Sequence, residues 1–189
     1  MLLFNNAAQY GAVAKLLHWL IAAGIIGMIA LGWIMEDLSP ADRYAVIQVH
    51  KATGLVILTL VAVRIVWRLV NRVPDLPDHM PVHERLLAHG THYGLYALMV
   101  AQPLSGWIMA SASSLPIGEV YGLFGIPDLM ATSESVEDAA NSLHGAFAWA
   151  IIALLVLHVA GALKHHIIQR DNVLRRMLPF ARLDQSRTP

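Results

Sequence analysis

The stretch His144–His158, HGAFAWAIIALLVLH, places a histidine at each end of thirteen residues that carry no charge. In a helix the two rings are separated by about 21 Å of axis and about four turns, so they leave the same face. An imidazole in an apolar run is costly unless it is hydrogen-bonded or binds a metal. The surrounding run, about 143–166, is long enough to cross the roughly 30 Å of a bilayer's hydrocarbon. It reads as a membrane helix that offers one ligand near each side of the membrane core.

Three more apolar stretches of crossing length lie at about 15–35, 47–69 and 90–111. The 189 residues are 57% hydrophobic and 14% charged, and apolar surface on that scale needs lipid. The expectation is an all-α membrane protein, a four-helix transmembrane bundle forming a single domain over 1–180, with 181–189 as a cytoplasmic tail. The first stretch lacks a basic leader and carries His18 and Trp19, so it reads as a mature helix and not a cleaved signal. The connection at 70–89, with Pro74, Pro77 and Pro81, is an ordinary loop. Zero formal net charge gives no basic field for nucleic acid. The absence of cysteine excludes thiolate-held iron–sulfur clusters, disulfides and covalently attached haem.

Charge orients the chain. Lys15 precedes the first stretch, Arg72 and Arg85 lie between the second and third, and Lys164, Arg170, Arg175, Arg176, Arg182 and Arg187 follow the fourth. On the other side stand only Arg43 and Lys51, and the segment 112–142 has no basic residue but contains Glu119, Asp128, Glu134, Glu137 and Asp138. The excess of Lys and Arg on one side predicts cytoplasmic N- and C-termini in a bacterial inner membrane. The portion 115–130 is expected to lie along the membrane surface.

Orientation then pairs the histidines. His18 and His158 fall at the inner level, His50 and His144 at the outer level. Two imidazoles at matched depth fill both axial positions of a haem iron, which leaves electron transfer as its chemistry. Two non-covalent haem b groups per chain are therefore expected, one per pair. A lone membrane histidine can instead be a helix–helix hydrogen bond or a proton relay, as in a haem-free transporter. The matched depths and the repeat on one face argue for ligands. Gly54, Gly145 and Gly161 flank the rings, where bulk would block a flat macrocycle.

Secondary candidates follow. Arg64 lies fourteen residues after His50, on its face but at the inner level, and is a candidate partner of a haem propionate. Arg68, one turn on, is a second candidate or a snorkelling charge. His92 opens the third helix near the inner haem, where it competes as a ligand or contacts a propionate or quinone. His165 shares the face of His158 two turns later and is a candidate cofactor contact at the cytoplasmic interface. His79, His83, His89 and His166 read as loop or interfacial residues.

The ordered set resembles the bacterial cytochrome b561 group of di-haem transmembrane cytochromes b over about residues 10–180. Its marks are Tyr10 and Lys15 before His18-Trp19, then His50-Lys51 with Gly54, Arg64 and Arg68. His89 and His92 with Leu95-Tyr96, and the Pro103-Leu104-Ser105-Gly106 turn, come next. His144, His158 and the tail His165-His166 through Asp171, Leu174, Arg176, Met177 and Pro179 complete it. The resemblance implies haem b on two histidine pairs, and members of the group include superoxide oxidases that pass the electron of superoxide to ubiquinone. On that reading Lys51, beside His50, is a catalytic candidate that attracts the anionic radical locally, against eight outer-side carboxylates. The alternative is the cytochrome b anchor subunit of a hydrogenase or dehydrogenase complex, with a protein redox partner.

Overall fold

The computed structural model describes residues 2–77, 80–114, 117–181 and 183. Four helices carry the chain: α1 (Ala12–Ile34), α2 (Pro40–Val70), α3 (Val82–Ala112) and α4 (Glu134–Lys164). A short 3-10 turn at Met35–Asp37 follows α1, and one turn of π-helix at His165–Gln169 extends α4. Between α3 and α4 a small antiparallel hairpin pairs β1 (Glu119–Val120) with β2 (Phe124–Gly125). Each helix is long and apolar enough to cross a membrane. The protein is thus an all-α membrane protein with four spanning helices.

Three helices begin well before their apolar runs. α2 starts at Pro40 where the run suggests 47, α3 at Val82 where it suggests 90, and α4 at Glu134 where it suggests 143. Hydropathy detects only the lipid-crossing part, whereas helix continues wherever its end is capped. Ser39 Oγ donates to the Asp42 carboxylate at 2.7 Å, and Pro40 suits a first helical position. Arg43 donates to the carbonyls of Met35 and Glu36 at 2.9 and 2.6 Å, which closes the tight α1–α2 turn. Glu84, and Glu134 with Glu137, place negative charge in the first turns of α3 and α4. As a result His50, His92 and His144 do not open their helices. Each lies ten residues after its helix start.

The chain divides into two compact units, each drawing segments from all four helices. Unit 1 comprises Met1–Leu20, Val63–Ala97 and Ile152–Pro189; unit 2 comprises Ile21–Ala62 and Leu98–Ile151. In unit 1 the N-terminal segment folds back, with Phe4 stacked on Trp67 and Asn5 Nδ2 donating to the Arg72 carbonyl at 2.8 Å. Lys164 and Gln169 both donate to the Glu84 carboxylate, at 2.7 and 3.1 Å, tying the end of α4 to the start of α3. The Trp19 indole donates to the Met177 carbonyl at 3.0 Å, fastening the segment after α4 to α1. His83 is exposed but lies in the first turn of α3 and not in a loop, because that helix starts before its apolar run, whereas His79, Arg182 and Arg187 lie outside the described residues.

In unit 2, Gly24 brings α1 against Ile57 of α2, and Trp33 meets Trp149 with ring centroids 6.5 Å apart. The hairpin packs Ile117, Val120 and Ile126 on Ala110, with Leu55 and Trp107 alongside. Trp107 Nε1 donates to the Pro127 carbonyl at 2.9 Å, and the Thr53 and Tyr121 hydroxyls are 2.5 Å apart. The region expected to lie flat over 115–130 is therefore, from residue 117 on, a hairpin docked on α2 and α3; Leu115 and Pro116 lie outside the described residues.

Two glycines in the hairpin have positive φ for different reasons of space. Gly118 has φ +98° and a Cβ there would overlap the Gln48 amide oxygen, while Gly122 has φ +72° with open space around it. Gly122→Ala should cost about 1 kcal/mol from backbone strain alone, and Gly118→Ala about 2–3 kcal/mol. The check is thermal unfolding in detergent: Gly118→Ala lowers the midpoint more than Gly122→Ala.

Candidate functional site

Each unit contains a pair of facing histidines. In unit 2 the His50 ring from α2 and the His144 ring from α4 have centroids 6.2 Å apart. His144 Nδ1 lies 3.1 Å from the Gln102 carbonyl and 3.0 Å from Ser105 Oγ. A carbonyl only accepts, so the proton sits on Nδ1 and the Nε2 lone pair is left for a ligand. Ser105 Oγ itself donates to the same Gln102 carbonyl at 2.8 Å, so α3 orients the ring through two linked contacts. Gly106 completes the support, because a Cβ there would come within 3.0 Å of His144 Cε1. His50 Nδ1 is buried without a hydrogen-bond partner among the described residues.

In unit 1 the His18 ring from α1 and the His158 ring from α4 have centroids 6.1 Å apart. His92 from α3 is a third neighbour, 5.2 Å from His158. Arg64 lies at the heart of this group. Its Nη2 is 3.3 Å from His18 Nδ1, its Nη1 donates to the Ala14 carbonyl at 2.9 Å, and its Nε donates to the Tyr96 hydroxyl at 3.1 Å. Arg68 lies over the Tyr96 ring at 5.6 Å. A guanidinium can only donate, so His18 Nδ1 accepts here. Binding a metal through Nε2 would put the proton on Nδ1, and Arg64 would then turn to another acceptor. Tyr10, just before α1, is held above the ordinary phenol range by burial, against the opposing pull of Arg68 and Arg64.

The remaining sequence candidates divide. His165 is buried, and its Nδ1 is 2.6 Å from Asp171 Oδ2. His89 lies against Tyr93. Lys51 is half-buried and forms no ion pair among the described residues. It follows His50 in α2, so the two side chains point about 100° apart. Sequence reasoning missed Gln102, Ser105 and Gly106 as the support of His144, and Asp171 as the partner of His165. No periodicity marks such contacts, because they join separate elements.

Spanning helices that aim pairs of imidazoles at one another define a class, the membrane-bound b-type cytochromes, in which histidines hold haem without covalent links. The comparison with known proteins agrees, since the family model for prokaryotic cytochrome b561 matches residues 9–180. The chain belongs to the prokaryotic cytochrome b561 family, whose members bind haem b and transfer electrons in membranes. It is 36% identical over 177 residues to cytochrome b561 homolog 2 of Escherichia coli (strain K12), covering 92% of this chain and 93% of that one. It is 27% identical over 183 residues to the probable superoxide oxidase CybB of Yersinia pestis, covering 92% and 98%. Cytochrome b561 homolog 1 of Escherichia coli (strain K12) is 25% identical over 170 residues, covering 86% and 93%.

The residues present suit haem b. Two imidazoles that bind one iron from opposite sides, through bonds of roughly 2 Å, hold their centroids about 6 Å apart. Both pairs have that separation. A bare metal ion needs more protein ligands, and no group of three or more His, Asp or Glu side chains suited to one occurs among the described residues. Arg64 and Arg68 supply cations of the kind a propionate requires.

Gly106→Val should tilt the His144 ring and lower the haem-to-protein ratio of purified material, whereas Gly90→Ala, where a Cβ meets nothing within 4 Å, should leave the ratio unchanged. The pyridine haemochrome assay against protein concentration reads the difference.

Proposed function

We propose that the chain carries two haem b groups, one between His18 and His158 and one between His50 and His144, and moves electrons from a donor at the outer surface to ubiquinone. The observation that carries this reading is the pair of imidazole separations near 6 Å, one in each unit. Haem b held this way would supply a one-electron carrier. The polypeptide holds and tunes. Gln102 and Ser105 set the tautomer of His144, and the Arg64 and Arg68 guanidiniums would hold the propionates and favour the electron-rich state in unit 1.

Superoxide is the donor we favour, a small anion that can give up its electron without docking. Lys51 supports this choice as a half-buried cation next to His50 with no carboxylate partner among the described residues. So does the relative named as a probable superoxide oxidase. The asymmetry of Lys and Arg between the loops supports an orientation with both termini in the cytoplasm and Lys51 toward the outside of a bacterial inner membrane.

Purified protein should reduce a ubiquinone analogue when superoxide is generated beside it, at a rate well above the spontaneous background. A rate equal to that background overturns the assignment of superoxide as donor. The spectrum of the same material should show a reducible b-type signal at about two haems per chain. His158→Ala should remove one haem and leave the other, and His50→Ala should do the reverse. Arg64→Leu should lower the midpoint potential of the unit 1 haem while changing its occupancy little, because removing a cation favours the oxidised form. Spectroelectrochemical titration measures the shift.

A further inference from the structure

The hairpin between α3 and α4 has no part in the proposed electron path, and its composition is unusual for a connection. From Val120 to Pro127 the chain reads VYGLFGIP, without a charge, bounded by the exposed Glu119 and Asp128. The docked side is Ile117, Val120 and Ile126, which pack on Ala110. The tip turns the other way. Leu123 is 79% exposed, Phe124 61% and Tyr121 57%. Large apolar side chains exposed together on one turn mark a surface that meets another apolar phase.

The helices that hold the hairpin fix its level. Tyr121 reaches Thr53 and the hairpin packs beside Leu55, roughly 9 and 12 Å along α2 from the start of its apolar run at about 47. On α3 it packs on Trp107 and Ala110, also within the run that ends at about 111. The hairpin therefore lies beside the lipid-crossing parts of two spanning helices and does not project from their ends. Trp149 lies roughly 9 Å past the start of its own run at about 143 and is exposed, with Trp33 against it. Tryptophan and tyrosine gather at this depth, the boundary between headgroups and acyl chains. The polar groups of the hairpin suit that boundary. Thr53 Oγ1 donates to the Val49 carbonyl at 2.7 Å and so accepts from the Tyr121 phenol. The strand pairing, with Leu123 N–H donating to the Val120 carbonyl at 2.9 Å and Ile126 N–H to the Gly118 carbonyl at 3.0 Å, occupies much of the backbone. Headgroup oxygens and interfacial water serve the remainder, which the hydrocarbon core could not.

We propose that the hairpin tip is seated in the membrane, with Leu123 and Phe124 entering the acyl side of the headgroup boundary in the leaflet where α3 gives way to α4. The occupant of this apolar face is lipid, and the contact continues the lipid-facing surface of the spanning helices. Tyr121 lies at the boundary with its phenol turned to Thr53, and the lack of charge over 120–127 lets the tip enter. Glu119 and Asp128 set the limit of entry. The inference rests on the spanning helices alone, and neither the haems nor the choice of electron donor enters it.

The chain contains no cysteine, so one introduced cysteine can be labelled without background. Leu123→Cys, Ile26→Cys and Ser135→Cys, each carrying a nitroxide, are purified as full-length protein and reconstituted into liposomes of phosphatidylcholine and phosphatidylglycerol. Ile26 is exposed within the apolar run of α1 and stands for lipid, while Ser135 is exposed in the first turn of α4, before its apolar run, and stands for water. An absorption spectrum equal to that of the unlabelled protein reports intact folding, and Phe124→Cys replaces Leu123→Cys should the latter not fold. Power-saturation electron paramagnetic resonance compares collisions with oxygen, which concentrates in lipid, and with a nickel chelate, which stays in water on both sides. The oxygen-to-nickel ratio at 123 should exceed that at 135 by at least about tenfold and approach that at 26. A ratio equal to that at 135 would overturn the proposal and put the tip in water. Few collisions with either reagent would also overturn it, by placing the tip against protein. Dipolar broadening that fades on dilution with unlabelled protein would then identify a second copy of the chain.

Discussion

A histidine ring at membrane depth must find a partner, and this requirement organises the protein. Water is absent from the hydrocarbon core, and an unpaired polar group there costs several kcal/mol. Among the described residues His18 faces His158 and His50 faces His144 across different helices, with His92 of α3 beside the first pair. One pair joins α4 to α1 and the other joins α4 to α2. Small residues reinforce this. Gly24 lets α1 approach Ile57, and Gly106 gives the His144 ring its room.

The two pairs are prepared differently. His144 is already in the tautomer a metal needs, through a carbonyl and a hydroxyl on α3. His18 instead has a guanidinium at its Nδ1, so its environment is electrostatic before it is directional. An electron carrier gains from such inequality, since hydrogen bonding and local charge are the means by which a protein separates the potentials of chemically identical cofactors. Unit 1 concentrates Arg64, Arg68, Tyr96 and His92 about its pair, whereas unit 2 has Gln102, Ser105 and the nearby Lys51.

The surface of the molecule follows from the same solvent. Leu69, Val156 and Trp149 are well exposed on the helices, which is the expected state of side chains that face lipid. The polar connections carry the organisation that lipid cannot. The Glu84 contacts with Lys164 and Gln169 and the capped start of α2 are hydrogen-bonded devices at helix ends.

Hydropathy and spacing in the sequence determined four spanning helices, because lipid imposes a minimum apolar length, and they singled out the four histidines and their pairing by depth, because a helix converts residue number into distance. They could not locate the true starts of α2, α3 and α4, since capped polar turns extend a helix without changing its hydropathy. Tertiary structure alone decided which atoms attend the rings. Ser105 and Gln102 reach His144 across 39 and 42 residues of chain, and Arg64 reaches His18 across 46. It also decided that His165 turns to Asp171, since only the left-handed turn at Arg170 brings that carboxylate back. Periodicity describes one helix at a time, and these contacts exist only once separate elements have packed.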